Sequence, residues 1–362
     1  MAKIGIITYH FAANYGAVLQ CYALSKYLEE CGHTVLVLNC VSKKQANNNS
    51  LYRECNSIKM IAKNLVLLPF HSKRKKRIEG YNNFRKKHLN LTKLVETSDE
   101  LERLIDEYQF DYVISGSDQV FNPNIHDFEP AFLFPFDSKS KKIGYAVSVG
   151  KATVEQLMQY EKWIKDFEAI SAREQSTAER LEKMIGKNQV VVDPVFLLNK
   201  NRWSDICTKK EKKYVLGYFI NVKYYQKYIE IAKKIANEKG IELVIIDARI
   251  TKYIFNNNII NTAGPKEFID LFMNAEYICT DSFHGTSFSI IFEKPFLCFE
   301  PKIKSLDTRK TNLCKIAGLE KQLYYLDSKN VINNDSIDYV KVKANMSETI
   351  FLSKEFLNNN LQ

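Results

Sequence analysis

One short run concentrates the side chains that could move protons and hold an anion: Thr280-Asp281-Ser282-Phe283-His284-Gly285-Thr286-Ser287. An apolar stretch, Glu276 to Thr280, precedes it, and Gly285 with two hydroxyl residues opens the next apolar segment. If the stretch is a strand and the segment a helix, His284 stands beside the first-turn N–H groups, where an anion and a titrating imidazole can share a site. The same residues would also serve as an ordinary capping turn, with Asp281 and Ser282 bonding backbone and His284 packed. A second junction, Ser171-Ala172-Arg173-Glu174, presents a guanidinium fork suited to a carboxylate or phosphate, or else paired with Glu174 or another surface carboxylate. A third, Asp111 to Val120, ends an apolar strand in the small polar loop Ser115 to Gln119, where Gly116 admits close backbone approach. There Ser117, Asp118 and Gln119 could hold hydroxyl groups or form an Asx turn. A fourth, Asn14-Tyr15-Gly16, sits at the start of a helical pattern and could cradle a ligand.

The surrounding pattern explains how such loops could be held. Ile4 to Tyr9 reads as a strand, Ala17 to Leu28 as a helix and Thr34 to Asn39 as a strand, the succession of a parallel α/β sheet with ligands at the strands' C-terminal ends. Residues 41 to 108 are less legible. Further strands are expected at Asp111–Ser115, Ile143–Val149 and Val190–Val192, with helices at Thr153–Asp166 and Glu174–Met184. The alternation restarts at Tyr214–Ile220, with helices at Tyr224–Glu238, Pro265–Asn274 and Thr286–Phe292 and strands at Ile241–Ile246, Glu276–Thr280 and Phe296–Phe299. The expected fold class is α/β, with two Rossmann-like domains facing across a cleft. Their bounds are expected at 1–170 and 171–327, and a polar tail, 328–362, packs back.

Composition bounds the function classes. The chain has 362 residues, 45% hydrophobic and 26% charged, which excludes disorder and fibrous repeats. The apolar stretches fall short of the roughly 20 residues that cross a bilayer. Met1-Ala2-Lys3 leads directly into a strand-like run, so no secretory signal is expected and a cytoplasmic location is, peripheral contact with the membrane's inner face included. Eight cysteines without CxxC or zinc-finger spacing read as reduced thiols, and no metal site is expected. A net charge of +10 favours anionic partners. Its densest source is Lys73-Arg-Lys-Lys-Arg77, with Arg85-Lys-Lys87 following. With only Tyr81 and Phe84 interleaved, nucleic acid is not the expected partner; the run is a solvated helix face or a contact with an anionic membrane.

Taken in order, these segments resemble the polysaccharide pyruvyl transferase family. The resemblance rests on Gly5 to Tyr9, Asn14-Tyr-Gly-Ala-Val-Leu-Gln20, Asp111 to Val120, Ile143-Gly-Tyr-Ala-Val-Ser148, Ser171 to Glu174, Val191-Val-Asp-Pro194, and Asp281 to Gly285 with Lys294-Pro295. It implies a fold similar to GT-B glycosyltransferases, with the acceptor on the N-terminal side and the donor on the C-terminal side. It further implies transfer of pyruvate from phosphoenolpyruvate (PEP) to two hydroxyls of one sugar in a surface polysaccharide or its lipid-linked precursor, with release of phosphate and no cofactor. The resemblance places the family histidine on His284 and its arginine on Arg173. Its lysine falls on Lys302 or Lys304. Many relatives carry Arg two residues before the histidine where this chain has Ser282, which leaves Arg173 with a lysine or Arg309 to hold PEP. The loops at Asn14 to Gly16 and Ser117 to Gln119 are assigned to the sugar. Two alternatives stand beside this: a GT-B-type transferase using a nucleotide sugar, and a non-catalytic glycan-binding assembly protein.

Overall fold

The strand-forming runs are continuous Val, Ile, Tyr and Phe stretches with no polar alternation, the pattern of parallel strands covered on both faces. In the computed structural model, which describes residues 1–186, 188–247, 249, 258–301, 309–327 and 336–362, they form two six-stranded sheets. The first contains β1 (Lys3–Ile7), β2 (Thr34–Val37), β3 (Tyr112–Ser115), β4 (Lys141–Val147), β5 (Ala169–Ala172) and β6 (Gln189–Val190), in the order β2-β1-β3-β4-β5-β6. The second contains β7 (Tyr214–Tyr218), β8 (Glu242–Ile246), β9 (Ile259–Ile260), β10 (Tyr277–Thr280), β11 (Phe296–Glu300) and β12 (Leu323–Tyr325), in the order β12-β11-β10-β7-β8-β9. Every pairing in both sheets is parallel.

Parallel neighbours need helical crossovers, so all strands of a sheet deliver their C-terminal ends, and the loops that follow, to one edge. In each sheet the order reverses beside the first strand, β1 in one and β7 in the other. Each sheet has its own apolar core, including Ile7, Val113, Leu101 and Val147 in the first and Val215, Tyr228, Cys279 and Phe299 in the second.

The chain divides into two compact units, one of Met1–Ala62, Asn82–Leu198 and Thr349–Gln362, the other of Lys63–Tyr81 and Asn199–Glu348. The break expected at 170 therefore falls after Leu198, because β5 and β6 pair into the first sheet. The expected polar tail contains the helix Tyr339–Asn360. Its later residues return to the first unit, where Ser353 Oγ accepts from Val192 N at 2.9 Å and Leu352 O accepts from Gln189 Nε2 at 3.1 Å. The helix expected over Thr153–Asp166 is two short ones, Val154–Met158 and Glu161–Lys165, with Tyr160 outside helical geometry between them. The illegible stretch contains the helices Ile58–Leu67, His71–His88 and Ser98–Tyr108.

Candidate active site

At the C-terminal edge of the first sheet, polar side chains tie the strand ends together. Gln20, wholly buried on the helix Tyr15–Glu30, donates to Thr8 Oγ1 at 2.8 Å and accepts from Ser117 N at 3.1 Å, while Thr8 donates to Ser117 O at 2.9 Å. Ser117 Oγ donates to Ala146 O at 2.9 Å, so its hydroxyl is satisfied inside the fold. Gly116 is obligatory there: its φ is +133°, and a Cβ would meet Tyr145 O at 2.1 Å. His10 is equally enclosed, with Nδ1 donating to Thr8 O at 3.1 Å and Nε2 3.1 Å from the Asn39 amide. Burial drives its pKa down to about 4, so the ring is neutral at neutral pH.

A register shift between Gly144 and Val147 lets the last residues of β4 link the next two loops. Arg173 N donates to Val147 O at 3.0 Å, and Ser148 N donates to Asp118 O at 3.0 Å. These backbone ties bring Arg173 to Asp118. Its guanidinium, 1% exposed, donates to Asp193 at 3.0 Å and to Asp118 at 3.3 Å, and lies 3.7 Å from Glu174. Burial alone would lower the Arg173 pKa, but the three carboxylates hold it raised. Glu174 is anchored in turn, accepting from Ser148 Oγ at 2.6 Å and from Thr177 Oγ1. The fork that the sequence offers to a substrate anion is thus engaged by three anions of the protein itself. The pairing with Glu174 occurs inside the fold and not at the surface.

Of the other residues on this edge, Asn14 caps the helix Tyr15–Glu30 through Ala17 N at 3.3 Å, and Tyr15 and Gly16 are buried in its first turn. Asp118 and Gln119 are half-exposed; Gln119 N donates to Asp118 Oδ1 at 2.9 Å and Gln119 Oε1 accepts from Asn122 at 2.7 Å.

The second sheet's edge carries the His284 turn. β10 ends at Thr280, whose Oγ1 donates to Tyr218 O at 2.7 Å and accepts from Ser282 N at 3.1 Å. The helix Phe283–Ile291 follows, with Ser282 at its N-cap accepting from Gly285 N at 3.3 Å. Gly285 lets the helix sit directly on the strand end, since a Cβ would meet Thr280 Oγ1 at 2.2 Å. Asp281 accepts from Ile220 N at 2.7 Å and Asn221 N at 2.9 Å, bracing the loop after β7. Burial pushes its pKa up against those bonds and the Lys310 charge. Thr286 and Ser287 turn their hydroxyls back to Ser282 O and Phe283 O, both at 3.0 Å. His284 itself is half-buried, its ring edge-on to Phe283 at 5.2 Å. The Arg309 guanidinium lies 6.0 Å from the Phe283 ring. Lys302 and Lys304 lie outside the described residues.

Two groups on this edge escaped the sequence reading. Lys310, 7% exposed, donates to Phe299 O at 2.8 Å and lies 3.2 Å from Glu300, which ends β11. Burial lowers the Lys310 pKa, but the acidic side chains around it, the Cys298 thiol and the Glu300 and Asp281 carboxyls, hold it raised. The available signal was a lone carboxylate closing a buried strand, Phe296 to Glu300, which demands a cation. Asp193, ahead of Pro194, carried a similar signal for Arg173. Among the described residues no cluster of His, Cys, Asp and Glu could hold a metal ion, and no helix is long and apolar enough to cross a membrane.

Comparison with known proteins adds a family and a fold. A family model described as polysaccharide pyruvyl transferase matches residues 14–302. No curated protein matches the sequence. Among solved structures, a UDP-GlcNAc 2-epimerase from Methanocaldococcus jannaschii is 12% identical, with 96% of this chain and 92% of that one covered and a TM-score of 0.51. A protein from S. aureus, MnaA with UDP, is 13% identical over 99% of this chain and 88% of that one, with a TM-score of 0.48. At 12% identity the likeness to the first of these concerns the α/β fold alone.

Proposed function

The chain belongs to the polysaccharide pyruvyl transferase family, and from that premise we propose that it transfers pyruvate from PEP to two hydroxyls of one sugar of a polysaccharide or its lipid-linked precursor. The observation that carries the reading is the His284 turn: a half-buried imidazole at a strand's C-terminal end, on the first turn of a helix, over a loop braced by Asp281 and Ser282.

The chemistry asks for a proton carrier and for positive potential. Protonation of PEP at its methylene carbon makes the neighbouring carbon electrophilic, and one sugar hydroxyl adds there with loss of its proton. A second hydroxyl then attacks the same carbon and gives its proton to the base as the bond to the phosphate oxygen breaks, and phosphate leaves with the cyclic ketal complete. His284 is the acid and base of this sequence, since an imidazole can both give and take a proton. The helix N-terminus and Arg309 supply positive potential to the leaving phosphate, with Lys302 or Lys304 the further cation. Asp118, Gln119 and the Asn14 loop take the sugar, their amide and carboxylate groups matching hydroxyls. Arg173 acts on the same loop from behind, holding Asp118 in place as a positioning residue.

The test is acceptor-dependent phosphate release from PEP across a panel of lipid-linked or nitrophenyl hexosides, with the product mass raised by a pyruvyl ketal. Thermal stabilisation by UDP or GDP sugars, with no response to PEP, would overturn this reading in favour of glycosyl transfer.

A further inference from the structure

The basic run at Lys73–Arg77 does not stand alone. It follows the helix Ile58–Leu67 and the short turn Leu68–Phe70, on the helix His71–His88. The Ile58–Leu67 helix buries none of its residues, although its sequence is amphipathic. Ile58, Ile61 and Leu65, spaced three and four apart, share one face and are 87%, 44% and 59% exposed; Val66 and Leu68 continue the apolar surface at 63% and 52%. A ten-residue helix with no buried residue lacks the packing that ordinarily sustains helices of this length, so its apolar face calls for a cover.

Charge decides what the cover is. Between Glu54 and Glu79 there is no acidic residue, while Lys59, Lys63, Lys73, Arg74, Lys75, Lys76 and Arg77 are all cationic. The following helix buries Tyr81 and Phe84 and leaves Lys73, Lys75 and Lys76 exposed. A second copy of this surface would set like charges against each other. Single-stranded nucleic acid would need stacking aromatics where the exposed side chains are aliphatic.

We propose that residues 58–77 dock the protein on an anionic lipid bilayer. The Ile58–Leu67 helix lies in the interface with Ile58, Ile61, Leu65 and Val66 in the acyl boundary, and Lys73, Lys75 and Lys76 engage lipid phosphates. Ten residues rise about 15 Å, too short to span the hydrocarbon, so the helix lies in the plane. Arg85 is not part of this surface: it donates to His10 O and Phe11 O at 3.1 and 2.6 Å.

Binding is measured by co-sedimentation with vesicles of equal phosphatidylglycerol and phosphatidylcholine, without acceptor, so the result is independent of the pyruvyl donor. Wild-type protein should bind at low salt and be released as salt rises. Lys73→Gln/Lys75→Gln/Lys76→Gln should bind on the order of 10²-fold more weakly, and Ile61→Ser/Leu65→Ser roughly 10-fold more weakly, both with unchanged thermal unfolding. Failure of wild-type protein to bind these vesicles at low salt, equal binding to pure phosphatidylcholine, or a concentration-dependent dimer abolished by Ile61→Ser/Leu65→Ser would each overturn the proposal.

Discussion

The ends of β5 and β10 are junctions of one kind, strand to turn to helix at the C-terminal edge of a parallel sheet, and they use their polar residues in opposite ways. After β5, Arg173 is sealed in, one cation against the buried Asp193 and Glu174 and the partly exposed Asp118, with hydroxyls of Ser148 and Thr177 on Glu174. After β10, the buried members Thr280, Asp281 and Ser282 brace backbone, and the titratable His284 is half-exposed on top of them. A strand end thus becomes either an internal clamp or an edge that reaches solvent, according to whether its neighbours enclose the ionisable side chain or leave it half-exposed. Arg173 and His284 sit at equivalent junctions, yet the first should matter to folding and the second to turnover.

The largest effect should come from the clamp. Arg173→Ala leaves three carboxylates around an empty cationic position, and loss of one partner of a buried ion pair costs about 3–5 kcal/mol. Urea unfolding should show that loss, while Arg173→Lys, which keeps the charge but not the fork, should show a smaller one. A stable Arg173→Ala protein with a raised PEP requirement would instead make the arginine a donor-binding group and erase the contrast. Next in size, His284→Ala should lower PEP-dependent turnover by roughly 10²-fold or more with unfolding nearly unchanged. Near-normal turnover would return the turn to a capping role.

How far these two edges were legible in the sequence differs for a physical reason. Strand runs, the parallel alternation and the polar loop tips are local patterns, so β1, β3, β10 and both junctions could be placed from residue order. The partners of Arg173 could not be placed in that way. Asp118 and Asp193 are 55 and 20 residues away from it, and only the pairing of β3, β4 and β5 and the shift near Val147 bring the first of them into contact. Lys310 was hidden for the same reason, since Glu300 specifies the need for a cation but not which of several nearby lysines meets it. Residues 41 to 108 read poorly because Ile58–Leu67 carries an apolar periodicity that the fold does not bury.

A third effect sharpens the description of the first edge as closed. His10 has a folded pKa of about 4 against an ordinary value near 6.5, so the unfolded chain takes up its proton first as pH falls. Its contribution is fully present above pH 6.5 and is lost as pH falls toward 4, about 2 kcal/mol of it by pH 5. His10→Asn should flatten the stability profile between those values. An unchanged slope would show that His10 is hydrated and that the edge is open to water.

The smallest effect tests the brace under His284. Asp281 accepts two backbone N–H groups, from Ile220 and Asn221, and no single amide can replace both acceptors. Asp281→Asn keeps one acceptor and turns an NH2 toward the other donor, which would cost 1.5–3 kcal/mol for a bond to a charged group, yet it also removes a carboxylate that burial disfavours. The net loss of stability should therefore be modest, about 1 kcal/mol. The catalytic consequence separates a brace from a proton carrier. If Asp281 only positions the turn, turnover falls while the shape of the pH–activity profile is unchanged. If the profile moves with the substitution, the Asp281 carboxyl itself takes part in the proton traffic, and the edge works through two residues instead of one on a scaffold.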